Sequence, residues 1–113
     1  IETVLPHGTA LLPTGLKIEV PKGYMLEIKN KSGIATKRGL LVGACVVDRH
    51  YTGEVFVNLH NVTQRNQIIK AGQKIAQAVF VKITTQVSLV ESDSIYDEES
   101  SRGDGALGST GDY

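Results

Sequence analysis

Cysteine occurs once in the 113 residues, neither charge sign prevails, and no apolar run approaches the about 18 residues of a membrane-spanning helix. Each shortage removes a class of protein. A lone Cys45, set in the apolar run 40–47, cannot build a disulfide framework and fits a buried thiol in a reducing compartment. Twelve Lys and Arg residues balance twelve Asp and Glu, so no global field would hold nucleic acid or an anionic membrane, and any anion site must be local. The N-terminus has no basic-then-apolar signal layout. The expectation is a soluble protein inside the cell, in cytoplasm or nucleus, whose partner is small or proteinaceous.

Helical periodicity is also nearly absent. Leu16, Ile18 and Val20 alternate with Lys17 and Glu19, Tyr24, Leu26 and Ile28 alternate with Met25, Glu27 and Lys29, and Val55, Val57 and Leu59 alternate with Glu54, Phe56 and Asn58. Period two predicts half-buried strands. Further strands are predicted over 40–47, 74–81 and 83–90, with turn signals at 13–15, 21–23, 52–53 and 71–72. Many short strands at this spacing predict one antiparallel sandwich or barrel, small enough for its fold to lean on neighbouring subunits. From Glu91 the composition turns acidic and then glycine-rich, which divides the chain into a core over 1–91 and a mobile arm over 92–113.

Three stretches carry candidate chemistry. In the arm, RGDGALGSTGDY combines Arg102, Ser109 and Thr110 with glycines that let backbone N–H groups approach a phosphate closely. Gly103, Gly105 and Gly108 spell a dinucleotide fingerprint, but no strand precedes them and no room for a helix follows. Arg102-Gly103-Asp104 spells an adhesion tripeptide, which a chain with one cysteine and no secretion signal has little use for. Lys31-Ser32-Gly33, near Lys29, Lys37 and Arg38, ends a predicted strand and offers a second anion turn. VGACVVDRHYTGEV runs from an apolar strand to Asp48 and Tyr51, with Gly53 completing a predicted hairpin.

In order, PTGLKIEVPKGY, KSGIATKRGL, VGACVVDRHYTGEV, KIAQAVF and RGDGALGSTG span residues 11 to 111. In this order and spacing the chain resembles the trimeric deoxyuridine triphosphatases (dUTPases). The resemblance implies an all-β, antiparallel distorted barrel or jelly-roll-like fold with a flexible C-terminal arm. It implies hydrolysis of dUTP to dUMP and pyrophosphate, which clears the nucleotide pool and supplies dUMP for thymidylate synthesis. By the same resemblance, Asp48 activates the water that attacks the α-phosphorus, Tyr51 packs under the deoxyribose and excludes a 2′-hydroxyl, and the segment Gly43, Ala44, Cys45, Val46 and Val47 reads the uracil edge. Lys31, Ser32, Gly33 and Gln77 match positions at the α and β phosphates, while Arg102, Leu107, Gly108, Ser109 and Thr110 match the arm that closes over the nucleotide. Mg2+ is implied on the triphosphate and its waters, with no direct ligand from this chain, and the implied assembly is a homotrimer with active sites at subunit interfaces. Neither nucleic acid nor membrane is an expected partner.

The sequence departs from the family pattern at several points. Lys31 stands where Arg is usual, so a bidentate fork becomes a point charge. Ala106-Leu107 replaces Gly-Phe, which removes a ring that stacks on the base. Thr52 and Cys45 replace a frequent Arg and Gly, and the first family motif, Ala-Gly-x-Asp, is absent, so a fragment is expected. Two rival functions follow: a catalytically weak dUTPase-like binding or regulatory trimer, and a related dCTP deaminase, which would need a general base beside C4. A triad of Ser32, His50 and Asp48 lacks a nucleophile elbow, and His7, His50 and His60 lack zinc-ligand spacing.

Overall fold

The computed structural model describes residues 1–84 and 86–94. Arg102, Leu107, Gly108, Ser109 and Thr110, and with them most of the predicted arm, lie outside the described residues.

Among the described residues eight strands and one helix follow in chain order: β1 (Glu2–Val4), β2 (Thr9–Pro13), β3 (Tyr24–Asn30), α1 (Ser32–Arg38), β4 (Leu40–Val42), β5 (Val46–Val47), β6 (Phe56–Asn61), β7 (Gln67–Ile69) and β8 (Ala76–Lys82). Every pairing is antiparallel, in three small sheets ordered β1-β7, β2-β6-β4 and β5-β3-β8. The all-β, jelly-roll-like architecture is therefore present in an open form, since no ladder among the described residues closes into a full barrel.

Alternation explains the core. In β6, Val57 and Leu59 point inward and are buried, while Phe56 and His60 are exposed on the outer face. Leu26 and Ile28 of β3 meet Leu12 and Leu40 in the same apolar cluster, together with Val4, Val20, Val55 and Ile69. Each such side chain contributes about 1.5–3 kcal/mol by leaving water. The strand β8 is mostly exposed along its length and is held by a seven-residue ladder to β3, from Tyr24↔Lys82 to Asn30↔Ala76.

Several local expectations are corrected. Residues 40–47 form two strands, because the chain leaves one sheet after Val42 and enters another at Val46. Asp48 to Val55 forms no hairpin: β5 pairs with β3 whereas β6 pairs with β2 and β4, so the segment crosses between sheets. Residues 16–20 keep their inward alternation, with Val20 buried and Ile18 half-buried, but carry no strand ladder. No strand forms among the described residues of 83–90. The predicted turn at Lys31-Ser32-Gly33 is the start of α1. No helix among the described residues is long and apolar enough to cross a membrane.

The C-terminal end of α1 is tied to β7 by side chains. Arg38 Nη2 donates to Gln67 Oε1 at 3.2 Å and to the Ile68 carbonyl at 2.9 Å, and Gln67 Nε2 returns a bond to the Arg38 carbonyl at 2.8 Å. Because Gln67 is buried, Arg38→Met strands its carbonyl oxygen, and the variant is expected to lose about 1–2 kcal/mol. A urea titration with an unchanged slope and a lower midpoint checks this. A midpoint equal to the parent's would show that water replaces the guanidinium without loss.

Candidate active site

Asp48 follows β5 and opens a tight turn. Its Oδ1 accepts the His50 N–H at 2.8 Å, and its carbonyl accepts the Tyr51 N–H at 3.3 Å. An Asp at the first position of such a turn closes the turn with its own side chain, so the carboxylate orientation is set locally. Oδ2 makes no hydrogen bond among the described residues, and the side chain is exposed. Tyr51 is fixed at its far end, where its hydroxyl donates to the Glu54 carbonyl at 2.5 Å. The ring lies against Gly53, where a Cβ would come within 2.7 Å of the hydroxyl oxygen and 2.8 Å of Cζ. Glu54 ties the segment to the loop after β2, its Oε2 accepting the Gly15 N–H at 3.2 Å.

The second wall is the crossing from β4 to β5. The Gly43 N–H donates to the Asn58 carbonyl at 2.9 Å, the Ala44 N–H to Asn58 Oδ1 at 2.9 Å, and the Cys45 carbonyl accepts the Ile28 N–H at 2.7 Å. The Cys45 N–H and the Ala44 carbonyl, the two ends of one trans peptide, make no hydrogen bond among the described residues, so a main-chain donor and an acceptor are left on opposite sides of the crossing. Between the two walls lies an open pocket of about 220 Å³, bringing together Ala44, Cys45, Val46, Val47, Asp48 and Tyr51. Its floor is the outer face of the β2-β6-β4 sheet, through Leu11, Phe56 and Asn58. Gly43 stands behind the pocket rather than on its surface.

Lys31, Ser32, Gly33 and Gln77 do not line this pocket; they form a second group. Lys31 is the N-cap of α1, Ser32 and Gly33 are exposed in its first turn, and that turn carries no acidic residue. Gln77 Nε2 donates to the Asn30 carbonyl at 2.8 Å, which sets it beside the start of the helix, and it also lines an adjoining groove of about 350 Å³. Asn30 links the two groups, because its Oδ1 accepts the Val42 N–H at 2.8 Å immediately before the Gly43 crossing. Asn30, Glu54 and Asn58 were not predicted as site residues. Their partners lie too far along the chain for spacing to reveal them, with 47, 39 and 14 residues between Asn30 and Gln77, Gly15 and Glu54, and Ala44 and Asn58.

Fold and pocket together define a jelly-roll-like β protein with a small-ligand slot, in which Asp48, Tyr51 and Glu54 share a lining with residues 44–47. The family model described as dUTPase matches residues 2–111, and the chain belongs to the dUTPase family. It is 44% identical over 109 residues to the deoxyuridine 5'-triphosphate nucleotidohydrolase of Saccharomyces cerevisiae, a match covering 96% of this chain and 73% of the yeast protein. In fold it is similar to the dUTPase of Staphylococcus bacteriophage 80alpha solved with dUpNHpp, at a TM-score of 0.81 and 23% identity, over 97% of this chain and 80% of that one. It is also similar to a dUTPase of phage phi11 of S. aureus whose structure details a structural Mg(II) ion, at a TM-score of 0.70 and 21% identity, over 83% and 78% of the two chains.

Proposed function

We propose that Asp48 positions and deprotonates the water that attacks the α-phosphorus of dUTP, within the established reaction of the family, hydrolysis to dUMP and pyrophosphate. The single observation that carries this is the pocket that holds Asp48, Tyr51 and residues 44–47 on a common surface. With Oδ1 held by the His50 N–H, Oδ2 is left to accept the water proton as the new P–O bond forms and the bond to the β-phosphate breaks. The tyrosine ring, held through Glu54 and Gly53, offers a flat wall against which a deoxyribose would pack and a 2′-hydroxyl would collide. The Cys45 N–H, unbonded among the described residues, is a main-chain donor suited to a carbonyl of the uracil edge.

The group at α1 is suited to the phosphates. Exposed first-turn residues, Lys31 and Gln77 give donors and positive charge without an acidic neighbour in that turn. Arg102, Leu107, Gly108, Ser109 and Thr110 are proposed to complete the enclosure from the arm. Among the described residues no group of three or more His, Cys, Asp or Glu could hold a metal ion. Mg2+ is proposed to be carried on the triphosphate with its waters, the ion's usual mode with nucleotides, where it would neutralise phosphate charge. A homotrimer is proposed because Val79 and Phe80 of β8, outside the pocket, are both at least 40% exposed in the single chain, apolar surface that a subunit contact would cover.

Pyrophosphate release tests the assignment. With magnesium present, dUTP is expected to be hydrolysed and UTP to be a poor substrate, whereas equal rates on both would remove Tyr51 from the sugar site. Gly53→Ala drives a methyl group into the Tyr51 ring, so the preference for dUTP over UTP should fall about tenfold. Competition between the two nucleotides reads this directly, and an unaltered ratio would mean that the ring does not select the sugar.

A further inference from the structure

We infer that Asn58 is a positioning residue that sets the width of the base slot, and through it the discrimination against a 5-methylated uracil ring. This rests on the reading of residues 43–47 as the base-reading segment. Among the described residues, Asn58 is the one side chain that hydrogen-bonds the β4-to-β5 crossing from the floor of the pocket. Its Oδ1 accepts the Ala44 N–H at 2.9 Å, while its Nδ2 donates to Thr9 Oγ1 at 2.9 Å and to the Ala10 carbonyl at 3.2 Å. Both ends of the carboxamide are therefore used, one on the crossing and the other on β2. Its main-chain carbonyl takes the preceding Gly43 N–H at 2.9 Å, so a single residue holds two successive amides of the crossing.

The approach is close enough to require glycine. A Cβ on Gly43 would collide with the Asn58 carboxamide and the His60 imidazole, which puts the crossing as near to the β6 outer face as a backbone can come. The next residues, Ala44 to Val47, line the slot whose opposite wall carries Tyr51. Held down on Asn58, the crossing stands at one fixed distance from that wall. Released from the carboxamide, it rises and the slot changes width. Gly43, Ala44 and Cys45 belong to no strand; main-chain bonds hold the crossing at its two ends, through the Gly43 N–H and the Cys45 carbonyl, so the Ala44 amide between them depends on Asn58 Oδ1. Asn58 need not touch the nucleotide to act, because a group that fixes a wall changes which base fits through the wall it fixes.

The test compares wild-type protein with Asn58→Leu and Asn58→Asp. Asn58→Leu removes the acceptor, whereas Asn58→Asp keeps an oxygen where Oδ1 stands. In ligand-free protein, hydrogen exchange at the Ala44 amide should be at least about tenfold faster in Asn58→Leu than in wild type and near wild type in Asn58→Asp, on the general cost of losing such an acceptor. For catalysis, the ratio of kcat/KM for dUTP to that for dTTP should fall about tenfold in Asn58→Leu. Asn58→Asp should recover the ratio even if its charge raises both KM values, because the two substrates carry the same triphosphate. Unchanged Ala44 exchange in Asn58→Leu, or an unchanged ratio, overturns the inference. Equal losses on both substrates with a lowered unfolding midpoint would reduce Asn58 to a structural residue and also overturn it. Failure of the wild-type protein to release pyrophosphate from dUTP would instead defeat the functional reading, and the exchange measurement would still decide whether Asn58 anchors the crossing.

Discussion

Asp48→Asn is expected to lower kcat for dUTP about a thousandfold, within the range that a positioned general base contributes. The asparagine keeps an oxygen for the His50 N–H, so the turn closes as before, and only the proton acceptor and the negative charge are lost. Since Asp48 is exposed and makes no ion pair among the described residues, stability should stay within about 0.5 kcal/mol of the parent. Steady-state rates together with thermal unfolding separate the two effects. A variant retaining more than about a tenth of the parent's kcat would place the water-activating group elsewhere.

Asn61→Leu is the change expected to damage the fold most. Asn61 is 1% exposed at the end of β6, and its Nδ2 faces the carbonyls of Val4, Leu5 and Arg65 at 3.1, 3.1 and 2.7 Å. Its Oδ1 accepts from the Thr63 N–H at 3.0 Å and from Thr63 Oγ1 at 2.7 Å. One carboxamide thus joins β1, the end of β6 and the turn leading to β7. Leucine fills similar volume but satisfies none of these groups, and each stranded buried polar group costs about 1–3 kcal/mol. A total of about 3 kcal/mol is a large share of a small domain's margin of about 5–15 kcal/mol. Denaturant titration should find the loss, and a cost under about 1 kcal/mol would show that water enters and replaces the amide.

Much of the architecture could be read from residue alternation, and its failures have physical causes. The strands β3, β6 and β8 sit within about two residues of their predicted spans; β3 and β6 alternate over six or seven residues with one face on the core, whereas β8 shows no such alternation and is held by its ladder to β3. The run 40–47 reads as one buried strand because its apolar residues are continuous, and a change of sheet at Gly43 leaves no trace in hydropathy. Residues 16–20 show that inward alternation needs no ladder: Ile18 and Val20 pack on the core while the Leu16 carbonyl takes a single bond from the Val55 N–H at 2.8 Å. The helix was missed because seven residues give less than two turns of repeat, and Ser32-Gly33 at its start has the chemistry of a turn.

The site was legible in its chemistry and not in its supports. Asp48, Tyr51 and 44–47 do share one pocket, and the resemblance of the motifs had singled them out together. The asparagines that hold them could not be read, since a carboxamide in an alternating strand looks like an ordinary outward residue. Asn58, Asn30 and Asn61 reach partners 14, 12 and 57 residues away, and only the folded chain brings those groups within reach.

Because both walls of the slot are bridges from one sheet to another, its gape is a readout of how those sheets are seated. A repacking at Leu12 or Leu40, far from any nucleotide, that slid one layer a fraction of an ångström would move Tyr51 and Ala44 apart or together. If the slot takes the nucleotide as proposed, substrate choice is tied to core volume, and hydrophobic substitutions selected for durability would surface as altered appetite for neighbouring nucleotides.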